Sequence, residues 1–116
     1  MQAVLNSTRT YQILLALAVL ATAFLAFTKA SYPQPGGDKS MHILAFFTLS
    51  LLTYGAWRRP LWPQWLALAG YGALIELVQW FLPYRESSIH DWYADVVGIT
   101  LAYGLLALVK WRRSAS

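Results

Sequence analysis

The chain has 116 residues, of which 58% are hydrophobic and 12% are charged, and its net charge is +4. A soluble domain usually carries about twice that fraction of charged residues, so the composition argues against a water-soluble fold. The length allows one domain, and the absence of cysteine excludes disulfides and thiolate metal sites. Nucleic acid is not an expected partner, because the sequence offers no soluble basic surface.

The apolar residues fall into four segments, at about residues 11–27, 41–57, 62–82 and 92–109. Each segment is near the lower limit of length for a membrane span, and any one of them alone is also consistent with a buried core helix. Four in succession leave so short a chain without a polar surface to cover them in water. The sequence therefore predicts an all-α fold, with residues 1–116 forming one integral membrane domain built as an antiparallel bundle of four transmembrane helices.

The first segment also has an alternative interpretation. Arg9, the apolar stretch and the small residues at 28–31 are consistent with a cleavable signal peptide. The stretch is longer than a usual signal core, and Lys29 lies beside the would-be cleavage point. We therefore expect an uncleaved first helix surrounded by membrane lipids.

Basic residues indicate the orientation of the helices. Most of them lie on one side of the predicted bundle: Arg9, Arg58, Arg59, Lys110, Arg112 and Arg113. The positive-inside rule then puts both termini in the cytoplasm and the more acidic loops outside. Anionic lipids of the cytoplasmic leaflet are the expected partners of these residues.

Polar residues within the apolar segments converge on the outer end of the predicted bundle. The third segment ends there, with Glu76 about 9 Å below the end and Gln79 one turn shallower on the same face. The fourth segment begins there with Asp91 and Asp95 on one face, and the second begins there with His42. We expect these groups to line one pocket, whose full set is Lys39, His42, Glu76, Gln79, Arg85, His90, Asp91 and Asp95.

Some polar residues near the helix ends also have purely structural interpretations. Asp38 after two glycines is suited to the N-cap of the second helix, and Ser88 with Asp91 forms a capping box before the fourth. Lys39 and Arg85 can extend to lipid headgroups.

The buried carboxylates are harder to explain by structure alone. A charge within the hydrocarbon costs about 3 kcal/mol and is usually retained for a function. The structural alternative is that Glu76 pairs with His42 or Lys39 and only fixes the helix register. Gly98 and Gly104 are interpreted as positions of close helix contact.

The order of these residues resembles the VanZ-like family of membrane proteins. The stretch DKSMHILAFFTLSLL carries a K-x-x-H-x-x-x-F pattern, and ELVQWFLPYRESSIHDWYADVVG carries E-x-x-Q, then R-x-x-S and a closing glycine. The positions that match are Lys39, His42, Phe46, Glu76, Gln79, Arg85, Ser88, Asp91 and Gly98. Asp95 departs from the pattern, because the family usually has asparagine there, and it adds a second intramembrane carboxylate.

The resemblance implies a protein of the bacterial inner membrane with four spans. It also implies a link to low-level resistance to the glycopeptide antibiotic teicoplanin, by a route that is not established for the family. Many relatives occur outside resistance gene clusters, so the resemblance does not by itself assign resistance to this chain.

The first functional hypothesis is that the pocket binds or acts on an anionic lipid-linked envelope molecule at the outer leaflet. Arginine and lysine suit an anionic headgroup, and a buried carboxylate beside a histidine suits general acid–base chemistry. The candidate catalytic residues are His42, Glu76, Asp91 and Asp95, and the candidate ligand-binding residues are Lys39, Gln79, Arg85 and Ser88. The sequence offers no nucleophile motif, since Ser87 or Ser88 beside His90 is too weak a pair to indicate a triad.

Two hypotheses of other classes stay open. A proton-linked transporter or flippase component would use His42, Glu76 and Asp95 as a relay, although the inner half of every segment is expected to lack polar residues. A scaffold would pack against a partner through small residues of the third segment: Ala67, Ala69, Gly70, Gly72 and Ala73. No cofactor is assigned, because a zinc or manganese site built from His42, His90 and the carboxylates lacks a His-x-x-x-His spacing.

Overall fold

The computed structural model describes residues 8–27, 35–57, 60–82 and 89–115, with the backbone alone for residues 35–40 and 115. These ranges form four helices: α1 (Thr8–Phe27), α2 (Pro35–Ala56), α3 (Leu61–Phe81) and α4 (Ile89–Ala115). No strand occurs within the described ranges. The prediction of an all-helical fold with four helices is therefore confirmed.

The helix ends differ from the predicted ends for local reasons. α2 begins at Pro35, because a proline at the first helical position lacks only an N–H that has no partner within the helix. Asp38 therefore lies inside the helix, and its prediction as the N-cap is wrong. α3 ends at Phe81, where Leu82 turns to an extended backbone and donates its N–H to the carbonyl of Gln79 at 3.0 Å.

Side-chain contacts between the helices establish their directions. Gln12 on α1 donates to the carbonyl of Ala56 on α2 at 3.3 Å, and Trp65 on α3 donates to Thr100 on α4 at 3.1 Å. Along α2 and α4 the contacts keep the same order, from His42 with Asp95 to Ser50 with Tyr103, so these two helices are parallel. Along α1 and α3 they also keep the same order, from Val19 with Tyr71 to Ala26 with Gln79. Neighbours along the chain are thus antiparallel. We call the end at which α2 and α4 begin, and α1 and α3 finish, the upper end.

The tightest helix contact joins α2 and α4 at Gly98. A Cβ atom on Gly98 would lie 2.4 Å from the carbonyl oxygen of Ile43, so only glycine allows the two backbones to approach this closely. At Gly104 a Cβ would meet no described atom within 4 Å. The prediction of a close helix contact is confirmed at Gly98 and wrong at Gly104.

The first helix is held to the bundle mainly by half-buried residues and hydrogen bonds, because none of its described residues is fully buried. The hydroxyl of Tyr71 on α3 donates to the carbonyl of Val19 at 2.8 Å, and it lies 2.7 Å from the hydroxyl of Thr22. Near the lower end of α1, the ring of Tyr11 covers Gly55 of α2 so closely that a Cβ there would lie 2.5 Å from the ring.

The outer surface of the bundle is apolar. Thr8–Phe27 and Ile89–Ser114 are long and apolar enough to cross a membrane, and Met41–Ala56 is a shorter apolar helix. Only 6% and 33% of the two long apolar windows are buried within the chain. Leu20 and Trp80, for example, are 68% and 72% exposed. A core helix of a soluble protein would bury such residues, so this surface is typical of a protein that faces lipid.

Candidate functional site

Helices α2 and α4 bring a histidine and a carboxylate together at the upper end. His42 Nδ1 lies 2.6 Å from Asp95 Oδ1, and the Asp95 side chain is only 1% exposed. Gly98, three residues after Asp95, removes the side chain that would otherwise hold α2 away. The close packing at Gly98 therefore accounts for the reach of His42 to Asp95.

Glu76 of α3 and Asp91 of α4 lie beside the same histidine. One ligand atom from each of His42, Glu76 and Asp91 falls within 4.8 Å of the other two. Glu76 is buried, with 8% of its surface exposed, whereas His42 and Asp91 are half-buried. Four of the predicted site residues, from three helices, thus form one cluster, which we call the upper polar cluster: His42, Glu76, Asp91 and Asp95.

A second glycine makes room for this cluster. A Cβ on Gly72 of α3 would lie 2.9 Å from Asp95 Oδ2, so the carboxylate of Asp95 occupies the space beside Gly72. Asp91 lies in the first turn of α4, where the helix dipole favours a negative charge. The space beside Gly72 therefore accommodates the carboxylate of Asp95, and the first turn of α4 favours the carboxylate of Asp91.

Other predicted residues are placed differently or fall outside the described part. Gln79 is buried and donates its amide to the carbonyl of Ala26 on α1 at 2.9 Å, so it joins α3 to α1. His90 is exposed, with its ring edge-on to Tyr93 at 6.1 Å. The side chain of Lys39 and the residues Arg85 and Ser88 lie outside the described residues.

A second set of buried polar residues, which the apolar pattern of the sequence did not predict, lies toward the lower end. The Tyr103 hydroxyl donates to Gln64 Oε1 at 3.0 Å and also lies 3.3 Å from the carbonyl oxygen of Ser50. Gln64 in turn donates to the carbonyl of Trp57 at 3.0 Å. The expectation that the inner halves of the helices lack polar residues is wrong. Gln64, near the start of the third apolar segment, was the one feature of the sequence that could have indicated this set.

An apolar layer separates the two polar sets. Phe46, Leu68 and Ile99 are all buried in the common core. Phe46 and Ile99 each lie about one helical turn from a polar residue of both sets, whereas Leu68 lies about one turn from Gln64 and two turns from Glu76. Asp95 and Tyr103 are eight residues apart on α4, which corresponds to about 12 Å. The described residues thus show two buried polar layers with hydrocarbon side chains between them.

The small residues of α3 do not form one outward stripe. Ala69 and Gly72 are buried inside the bundle, whereas Ala67, Gly70 and Ala73 are exposed. A Cβ on Gly70 would meet no described atom within 4 Å. Only the three exposed residues are available to a partner, so the predicted packing surface of the scaffold hypothesis is smaller than expected.

The upper polar cluster has the groups needed for proton transfer. A carboxylate at Nδ1 fixes the orientation and tautomer of a histidine ring, so the other nitrogen, Nε2, is then the atom that can exchange a proton or bind a ligand. Glu76 is a second proton-exchanging group nearby. The sequence predicted this convergence, but it did not predict which residue pairs directly with His42.

Comparison with known proteins gives one curated relative and one family. An uncharacterized protein of the fission yeast Schizosaccharomyces pombe is 35% identical over 100 residues, which cover 82% of this chain and 61% of that protein. The chain thus spans less than two thirds of the relative's length. No solved structure matches this chain.

The family comparison covers almost the whole sequence, since the model of the family described as VanZ/LLP1 matches residues 3–110. The matched region contains all four helices up to the last residues of α4 and every residue of the upper polar cluster. The family and the two long apolar helices together indicate a membrane protein. The resemblance noted in the sequence is confirmed, and the chain belongs to the VanZ/LLP1 family.

Proposed function

We propose that this protein crosses the membrane four times, binds the anionic headgroup of a lipid-linked molecule at its upper end, and exchanges protons with it there. The observation that carries the proposal is the hydrogen-bonded pair of His42 and Asp95, with Glu76 and Asp91 beside it. Buried ionisable groups in a membrane protein are costly and usually serve a ligand or a proton.

The four-span arrangement is supported by how the helices lie along one another. α2 contacts α1 near its lower end, at Gly55, and α4 near its upper end, at His42. α3 contains 21 residues and is about 32 Å long, close to the thickness of the hydrocarbon core. Helices that lie side by side over their length occupy the same layer of the bilayer, so α2 and α3 would cross it with α1 and α4.

The proposed orientation puts the lower end in the cytoplasm. Arg9 at the start of α1 and Lys110, Arg112 and Arg113 at the end of α4 are all exposed at that end. Basic residues of this kind favour the cytoplasmic side. The upper polar cluster would then face the outer leaflet.

Charge in the upper polar cluster restricts how a ligand can bind. The four described residues are three carboxylates and one imidazole, so they alone do not attract an anion. The resemblance to the family supplies Lys39 and Arg85 as the positive groups, with Gln79 and Ser88 orienting the ligand. An arginine fork and a lysine ammonium are suited to a phosphate.

The relative from a eukaryote bears on the identity of the ligand. A phosphate or pyrophosphate headgroup on a lipid occurs in the membranes of many organisms, whereas a cell-wall peptide does not. We therefore propose such a headgroup as the ligand. A bacterial inner membrane as the location, and a link to teicoplanin resistance, would follow from the family resemblance.

The test compares the lipids of cells with and without the protein by mass spectrometry. We expect a lipid phosphate or pyrophosphate to co-purify with the protein and to change in abundance in the cells, and Glu76→Gln to abolish the change in abundance. Tyr103→Phe is the matched control, since it alters a buried polar residue of the lower layer. Unchanged lipid profiles together with no co-purifying lipid would contradict the proposal.

A proton-linked transporter is the second candidate, because buried polar residues occur in both halves of the bundle. Ser50, Gln64 and Tyr103 provide the lower layer, but Phe46, Leu68 and Ile99 interrupt the path within one chain. Proton flux into liposomes that contain the protein, abolished by His42→Ala, would favour this candidate over binding alone.

A further inference from the structure

The upper polar cluster combines three donor types that metal ions bind. His42 comes from α2, Glu76 from α3 and Asp91 from α4, and one ligand atom of each lies within 4.8 Å of the other two. Ligands around a zinc ion lie about 2.0–2.2 Å from it, so small side-chain rotations would bring these atoms into one coordination sphere. The sequence did not predict these three residues as metal ligands, because no two of them lie in one short motif.

The partner of His42 is the arrangement expected behind a metal ligand. A metal-binding histidine almost always donates its other ring nitrogen to a carboxylate or carbonyl, which fixes the tautomer and the ring. Asp95 Oδ1 lies 2.6 Å from His42 Nδ1, and the carboxylate is 1% exposed. With Nδ1 held in this way, Nε2 would be the nitrogen that ligates an ion.

Burial and charge also favour a cation. Glu76 is 8% exposed, and three carboxylates surround one imidazole, so a divalent ion would offset a concentration of negative charge in a low-dielectric region. His42 and Asp91 are half-buried, so part of each side chain is exposed.

We infer that His42, Glu76 and Asp91 form a site for a divalent metal ion, with Asp95 as the residue that positions His42. One imidazole and two carboxylates suit zinc or manganese. Three protein ligands leave coordination positions open for water or for a ligand oxygen. The site goes beyond the proposed function and stands without it; if both hold, the ion supplies positive charge for a phosphate headgroup.

The test uses full-length, tag-free protein purified in detergent, treated with chelator and then titrated with Zn²⁺ or Mn²⁺. Bound metal is measured by elemental mass spectrometry after desalting, and bound Mn²⁺ by electron paramagnetic resonance. We expect one ion per chain. Glu76→Gln and Asp91→Asn should each weaken binding at least about tenfold, and Asp95→Asn by about 10- to 100-fold, as changes to residues behind a ligand typically do.

His90→Ala is the matched control, because it removes an imidazole that is exposed and adjacent to Asp91 but outside the cluster. It should bind the ion as the natural chain does. Helix content measured by circular dichroism shows whether each variant is folded. If Glu76→Gln does not fold, Asp91→Asn at a half-buried position carries the test.

Binding of less than one metal ion per chain, unchanged by any substitution in the cluster, would overturn the inference. A loss of metal affinity in His90→Ala as large as that in the cluster variants would also overturn it. The proposed function fails separately. If the protein takes up no metal and binds a lipid phosphate equally well in excess chelator, the metal site is contradicted and the lipid ligand is retained. If it binds one metal ion per chain but no lipid is bound or altered, the metal site is retained and the proposed function is contradicted.

Discussion

His42 on α2 and Asp95 on α4 are 53 positions apart in the chain, yet their Nδ1 and Oδ1 atoms lie 2.6 Å apart. The two helices run parallel, so no turn between them forces this pairing. It depends on the close backbone approach of Gly98, about one turn beyond Asp95, to Ile43, the residue after His42. The close packing of the two backbones therefore makes the hydrogen bond between His42 and Asp95 possible.

Substituting Asp95 separates its charge from its hydrogen bond. Asp95→Asn keeps an oxygen that accepts a hydrogen bond, and we expect a folded protein of nearly natural stability. Asp95→Leu removes the acceptor and should lower the free energy of unfolding by about 1–3 kcal/mol, because a largely buried ring nitrogen loses its partner. Denaturant unfolding in detergent measures both values. Equal stability of the two variants would show that the bond contributes nothing.

The glycine contact can be tested with a matched pair on α4. Gly98→Ala places a Cβ against the carbonyl of Ile43 and should destabilise the fold by about 1–3 kcal/mol, as overpacking usually does. Gly104→Ala meets no described atom within 4 Å and should leave stability unchanged or raise it by up to about 1 kcal/mol. Thermal unfolding in detergent compares them. A stable Gly98→Ala variant would contradict the proposed backbone approach.

A second pair of glycines, on α3, distinguishes the site from a packing surface. Gly72→Ala places a Cβ 2.9 Å from Asp95 Oδ2 and should displace the carboxylate, which shifts the nitrogen NMR signals of the His42 ring. Gly70→Ala should not shift them. Gly70→Leu fills open space and should not unfold the chain, so a loss of cellular effect in that variant alone would favour the scaffold hypothesis.

Substitutions of opposite charge separate anion binding from proton chemistry. If the headgroup is held mainly by cations, Lys39→Ala and Arg85→Ala should abolish lipid co-purification, while Glu76→Gln retains it and stops only the change in lipid abundance. Mass spectrometry of the purified protein gives the first result, and whole-cell lipid analysis gives the second. Co-purification that survives both cation substitutions would count against an anionic ligand at this end.

The lower polar layer should contribute to stability and leave the upper site unaffected. Tyr103→Phe removes a hydroxyl that contacts Gln64 and Ser50, and we expect a loss of about 1–2 kcal/mol. Tyr93→Phe, at an exposed position of the same helix, is the control and should change stability little. Lipid and metal binding should be unaltered in both. A change in metal affinity on Tyr103→Phe would indicate coupling across the apolar layer.

The sequence could predict the four helices because the apolar residues fall into four separated runs. It could also predict that His42, Glu76, Asp91 and Asp95 converge, since helix spacing and alternating direction place them at one end. These predictions depend only on one-dimensional patterns.

Other features depend on packing in three dimensions and escaped prediction. The parallel contact of α2 with α4 requires knowledge of which faces meet, and the Gly98 contact follows from it. The Gly72 contact depends in the same way on how α3 packs against α4. The lower polar layer escaped because Gln64 and Tyr103 become polar partners only after α3 and α4 are docked. The bond from Gln79 to α1 likewise depends on how α3 packs against α1.

The apolar layer of Phe46, Leu68 and Ile99 also bears on proton exchange between the two ends of the bundle. Hydrocarbon side chains offer no hydrogen-bond partner to a proton or a hydrated ion, so these three residues interrupt the polar contacts between the upper polar cluster and the lower polar layer. If the chain crosses the membrane as proposed, this apolar layer would insulate the chemistry of the upper polar cluster from the compartment that the lower end faces.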